Sequence, residues 1–147
     1  MSSEPSRHVL PTVAATHAFA AACAATARPG SVHALVGDLG LGKTEWTRGF
    51  ARALGVSDDV AVCSPSYLLL NVYEGPACRV AHYDAYFVGD GDDLLRAGLA
   101  EMVDEGAYVV VEWADRVADV LPDDALWIEL SWEHGMRVAR RSGARVP

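Results

Sequence analysis

The stretch Gly37-Asp38-Leu39-Gly40-Leu41-Gly42-Lys43-Thr44 constrains this chain more than any other. It is a complete G-x-x-x-x-G-K-[ST] loop, and its flanks agree with it. Ser31 to Val36 reads as a short buried strand, Glu45 to Leu54 as a helix, and Gly55 as its stop. Glycines let a backbone turn tightly enough to aim consecutive N–H groups at phosphate oxygens. The helix that follows adds its N-terminal partial positive charge. In such a loop Lys43 would reach the β- and γ-phosphates, and the Thr44 hydroxyl would ligate magnesium. Among twelve lysines and arginines, Lys43 is the only lysine. An arginine-biased chain has kept a compact, flexible point charge where a phosphate loop calls for one.

The rest of the chain reads as one α/β domain, a P-loop NTPase-like mixed sheet flanked by helices. Its 147 residues are enough for a core. Residues 1–6, and from about 142 to 147, read as loose ends. Arg7 to Leu10 reads as an edge strand, and Thr12 as the N-cap of an alanine-rich helix from Val13 to Ala27. Tyr67–Tyr73 and Cys78–Asp84 read as a hairpin, which makes the sheet mixed. Short helical pieces fill 92–103, broken at Gly98. Ala107–Val111 is a fully buried strand, and a short helix follows at 114–119. Leu126–Trp132 alternates as a strand and pairs with Met136–Arg141.

Charge and cysteine usage exclude several classes. A net charge of −8 argues against a domain that grips a nucleic-acid backbone by itself. Cys23, Cys63 and Cys78 show no C-x-x-C spacing, which predicts free thiols in a reducing cytoplasm. No run of about eighteen apolar residues exists to span a membrane.

A phosphate loop needs acidic partners for its metal, and two acids end strands. Asp84 closes Val80-Ala81-His82-Tyr83-Asp84, and Glu112 closes Val109-Val110-Val111-Glu112. Sites in open α/β sheets lie at the carboxyl ends of strands, so both acids are expected to converge on the magnesium. Ser64-Pro65-Ser66-Tyr67 lies between the loop's helix and the hairpin, where Ser66 would approach the γ-phosphate as a switch segment does; an ordinary turn is the plainer alternative. His82, Trp113 and Trp132 read as structural. Arg137, Arg140, Arg141 and Arg145 read either as a solvated tail or as a contact for a nucleic acid or an acidic partner.

Taken together, GDLGLGKT, SPSY, HYDAY, VEW and the tail LPDD–LWIEL resemble the TsaE family, bacterial P-loop ATPases required for N6-threonylcarbamoyladenosine in tRNA. The resemblance runs from the Thr12 helix to the last strand. It implies that Gly37, Asp38, Leu39, Gly40, Leu41, Gly42, Lys43 and Thr44 hold ATP, with Thr44 on magnesium. It sets Ser66 where the family has threonine, Asp84 at the acid of H-x-D-x-Y, and Glu112 with Trp113 at the E-W pair. Lys43, Asp84 and Glu112 would be the catalytic groups. Which acid touches magnesium directly stays open. Glu45, Phe87 and Ala114 depart from the family's usual threonine, arginine and proline. The partners implied are TsaD and TsaB, with tRNA met through them, in the cytoplasm and away from membranes.

Two other readings share the same loop: a small-molecule kinase, and a nucleotide-dependent binding switch with negligible turnover. A kinase usually adds arginines that clamp the acceptor, and no lid segment here is rich in them. An N-K-x-D guanine motif is impossible with the only lysine at 43.

Overall fold

The computed structural model describes residues 5–65 and 68–143. Its frame is one seven-stranded mixed sheet in the order β1-β7-β6-β2-β5-β4-β3. The strands are β1 (Ser6–Val9), β2 (Val32–Val36), β3 (Leu70–Glu74), β4 (Arg79–Asp84), β5 (Tyr108–Glu112), β6 (Leu126–Glu133) and β7 (Met136–Ser142). The four central strands β6, β2, β5 and β4 run parallel, and β3, β7 and β1 are antiparallel to their neighbours. Of these, β2, β5 and β4 are buried on both faces, as central parallel strands are, whereas β6 leaves Glu129 and Trp132 exposed.

Helices cover both faces. On one side lie α1 (Val13–Thr26) and α2 (Lys43–Ala53), with Phe19, Trp46 and Phe50 packed on Leu35, Val110, Ile128 and Leu130. On the other lie α3 (Asp92–Arg96), α4 (Leu99–Asp104) and a 3₁₀ segment, Ala114–Val120. These cover Ala34, Tyr83, Val109, Val111 and Trp127. Thr12 caps α1 as expected, its Oγ1 accepting the Ala15 N–H at 3.0 Å. No helix among the described residues is long and apolar enough to cross a membrane.

Several boundaries differ from the sequence reading, each for a tertiary reason. Ser6 is not loose: it opens β1 and pairs with Arg141 on β7. Ser142 is likewise inside β7, opposite Trp127 on β6. The loop's helix begins at Lys43, two residues earlier than Glu45, because the first helical turn is part of the loop itself. The hairpin's first strand starts at Leu70, after Leu69 takes a left-handed φ of 68° that redirects the chain; Tyr67 lies outside the described residues. Trp132 is not a packing residue, since 59% of it is exposed.

The α1–α2 contact depends on the one glycine inside α2. A Cβ at Gly49 would lie 2.8 Å from His17 Cα and 3.1 Å from its carbonyl oxygen, so the backbones touch there. Alanine would gain about 1 kcal/mol in helix propensity and lose about 1–3 kcal/mol to overpacking against backbone that has no side chain to move aside. Gly49→Ala is therefore expected to lower the midpoint of urea unfolding, and a raised midpoint would show that the helices part freely.

His33 supplies a pH dependence. It is 2% exposed, wedged against Trp46 and Phe50, and its Nδ1–H donates to the Val109 carbonyl at 3.1 Å. Burial pushes its pKa down from the usual 6.5 to about 4. Between those values the unfolded chain binds a proton that the folded chain excludes. This contribution is complete above pH 6.5 and is lost as pH falls towards 4, by up to about 3 kcal/mol. Urea titrations at pH 7 and pH 4.5 should show a steeper acid loss for the wild type than for His33→Gln; equal losses would remove His33 from the account.

Candidate functional site

The carboxyl ends of the parallel strands open into a cleft of about 590 Å³. Gly40, Gly42, Lys43 and Thr44 from the loop line it, with Ser64, Asp84, Glu112, Trp113 and Arg137. The register brings the acids together. Asp84 on β4 pairs with Glu112 on β5, and Glu112 pairs with Leu35 on β2, two residues before the loop's first glycine. The two carboxylates and the loop therefore share one row of the sheet.

The loop wraps around its lysine. Gly42 precedes α2 at a φ of 98°, a left-handed turn that glycine takes without strain. Lys43 Nζ donates to the carbonyls of Gly37 at 2.5 Å and Asp38 at 2.9 Å, and lies 4.3 Å from the Trp113 ring centroid. Burial pulls its pKa below the usual lysine value, opposed by the charges of Glu112, Asp84 and Asp38. Trp113 reaches this position because its own backbone is left-handed, at φ 57°, where β5 turns into the 3₁₀ segment. That conformation is uncommon for a bulky residue and aims the ring back at the loop. Trp113 is thus a wall of the cleft, where the sequence suggested packing alone.

Both acids are held by hydrogen bonds. Asp84 Oδ1 accepts the Tyr86 N–H at 2.9 Å, and its Oδ2 accepts the Ser64 hydroxyl. Glu112 Oε2 accepts from His82 Nε2 at 2.5 Å. The other nitrogen of His82 is 2.9 Å from the Tyr73 hydroxyl, which lies 2.8 Å from the Cys63 carbonyl. A buried relay therefore runs from the segment before Ser64 to Glu112. The i, i+2 spacing from Asp84 places His82 on the same strand face but cannot reveal this bond, because Glu112 belongs to another strand. Among the remaining expected residues, Leu39 and Gly40 stand at the cleft's rim and Leu41 is buried under it. Ser66 and Arg145 lie outside the described residues.

Comparison with known proteins gives this arrangement its relatives. The model for the family described as threonylcarbamoyl adenosine biosynthesis protein TsaE matches residues 10–141. The chain belongs to the TsaE family. A Bacillus subtilis protein named tRNA threonylcarbamoyladenosine biosynthesis protein TsaE is 38% identical over 77% of this chain and 69% of its own length. An Aquifex aeolicus protein of the same name is 35% identical over 84% of this chain and 86% of its own length. The crystal structure of Bacillus subtilis YdiB superimposes with a TM-score of 0.78 at 29% identity, over 99% of this chain and 88% of that one.

Within this TsaE-family chain, His82 and Glu112 are 0% and 3% exposed. Removing one partner of such a pair strands the other's polar group in the core, at a cost of about 3–5 kcal/mol, whereas replacing both with apolar groups costs much less. His82→Leu is therefore expected to be less stable in urea than the double variant His82→Leu, Glu112→Leu. If the double variant is the weaker of the two, the bond is not what holds these residues.

Proposed function

We propose that this TsaE-family protein binds and hydrolyses ATP with magnesium, in support of threonylcarbamoyl transfer to adenosine in tRNA by a TsaD–TsaB-like partner pair. One observation carries the reading: the Lys43–Thr44 loop and the carboxylates of Asp84 and Glu112 line a single cleft at the strand ends. The relatives' names support the tRNA pathway, and the family resemblance supports the partners and a cytoplasmic setting.

The residues fit magnesium. The Thr44 hydroxyl and two carboxylates are hard oxygen donors, and a magnesium ion takes one or two of these alongside phosphate oxygens and water. Bound there, magnesium would supply positive charge to offset that of the phosphate groups. Lys43 would exchange the Gly37 and Asp38 carbonyls for phosphate oxygens. Asp84, held by Ser64 and Tyr86, would sit with Thr44 at the metal. Glu112, with one oxygen on His82, would orient the attacking water through the other. Trp113 would shield the lysine and lower the water content around it, which strengthens each charge interaction.

The cleft's rim supports a partner. Val13, Leu39 and Phe87 line it and are 50%, 73% and 59% exposed. Apolar groups rimming a polar cleft are what a docking protein covers.

Glutamine at 112 keeps the shape and removes the charge. Glu112→Gln is expected to bind Mg-ATP while hydrolysing it about 10²–10⁴ times more slowly in single turnover, the scale of a positioned acid–base group. Lys43→Ala is expected to lose ATP binding by calorimetry. Wild-type turnover should be slow alone and faster with the TsaD–TsaB pair. Phosphorylation of an added metabolite faster than ATP hydrolysis would replace this reading with a kinase, and undiminished hydrolysis by Glu112→Gln would remove Glu112 from the chemistry.

A further inference from the structure

Three buried side chains run diagonally across the sheet towards the cleft. Tyr73 on β3 pairs with Val80, and His82 stands two residues further along β4. His82 in turn pairs with Val110, and Glu112 stands two residues further along β5. Side chains two apart share a face of the sheet, and diagonal neighbours lie within reach of aromatic rings. The Tyr73 and His82 ring centroids are 5.8 Å apart, and the three residues are 3%, 0% and 3% exposed. Burying a hydroxyl and an imidazole among apolar side chains costs free energy that only their hydrogen bonds offset.

Proton placement gives this line a direction. A neutral imidazole donates from one nitrogen and accepts at the other, and a carboxylate only accepts. With Nε2–H donating to Glu112, His82 Nδ1 is the acceptor, and the donor 2.9 Å from it is the Tyr73 hydroxyl. Burial pushes the Tyr73 pKa above the usual tyrosine value, which keeps that proton on the phenol. The hydroxyl has a second acceptor in reach, the Cys63 carbonyl at 2.8 Å. That carbonyl also accepts from the Asn71 amide at 3.1 Å, and the Cys63 N–H donates to the Tyr73 oxygen at 3.2 Å. Each group thus has a partner with the phenol proton on His82.

Neither Tyr73 nor His82 is among the residues that line the cleft, whereas Glu112 is. Any effect of the pair on a bound nucleotide therefore passes through the carboxylate. We propose that Tyr73 is a positioning residue for ATP hydrolysis, which through His82 holds the Glu112 carboxylate in the orientation that aims it at the attacking water. This rests on the ATP reading above. Without the hydroxyl, Nδ1 is left buried with no donor and the ring is free to turn, taking Glu112 with it. A displacement of about 1 Å at a reacting group can cost about 10² in rate.

Single-turnover hydrolysis and Mg-ATP calorimetry on the full chain test the role of Tyr73. Tyr73→Phe keeps the ring in the core and removes only the hydroxyl. It is expected to slow hydrolysis by about ten- to hundredfold while Mg-ATP affinity stays within about twofold of wild type. Added to Glu112→Gln, it should cost nothing further, because it acts only through that carboxylate. His82→Gln drops the nitrogen that Tyr73 holds, so adding Tyr73→Phe to it should also cost nothing further. An undiminished rate in Tyr73→Phe, parallel losses of rate and affinity, or the same loss on top of Glu112→Gln or His82→Gln would each overturn the proposal. If Glu112→Gln is slow and Tyr73→Phe is not, Glu112 keeps its role and Tyr73 has none. If the wild type hydrolyses no ATP, or Glu112→Gln keeps the wild-type rate, the reading of Glu112 and this inference fall together.

Discussion

The parallel pairing of β2, β5 and β4 is the constraint on which the site depends. Hydrogen bonding sets Leu35, Glu112 and Asp84 in one row across three strands. β5 and β4 end at that row, each closed by an acid, and β2 runs one residue further, to Val36, before the loop begins. A register shift of one residue on β5 would turn Glu112 to the opposite face of the sheet and away from His82. The fully buried apolar runs on β5 and β4 resist such a shift, because both faces are packed. The accuracy of the polar site is thus a property of the apolar core beneath it.

A second dependence runs through the buried polar groups. His82 lies in the core between a tyrosine and a glutamate from different strands. The Tyr73 hydroxyl reaches Cys63, and the Ser64 hydroxyl reaches Asp84, so residues 63 and 64 are tied to both acids. Displacement of this segment would disturb both carboxylates. Such a contact gives a surface segment a direct mechanical route to the site, without a long chain of intermediates.

The last hairpin has a comparable place on the other side of β2. Its outer strand closes the sheet through β1, and the same stretch presents Arg137 to the loop. A segment that reads as a basic tail is an integral strand of the sheet, paired on both sides. Its arginines are sorted by face: Arg140 is paired on the surface, and Arg137 lines the cleft.

By itself the sequence determined the loop, the mixed α/β architecture and the two strand-ending acids. Those features are local: a fixed glycine–lysine–threonine spacing, runs of apolar residues at strand length, and caps such as Thr12. The exact ends of strands were less legible, because Ser6 and Ser142 become strand only when β1 and β7 find each other across the chain. Only the tertiary structure decided that His82 holds Glu112, that Trp113 covers Lys43, and that Arg137 enters the cleft. Each of these joins residues far apart in sequence or turns a side chain through an unusual backbone angle. No periodicity or motif encodes which strand lies beside which, and that adjacency is what converts separate charges into one site.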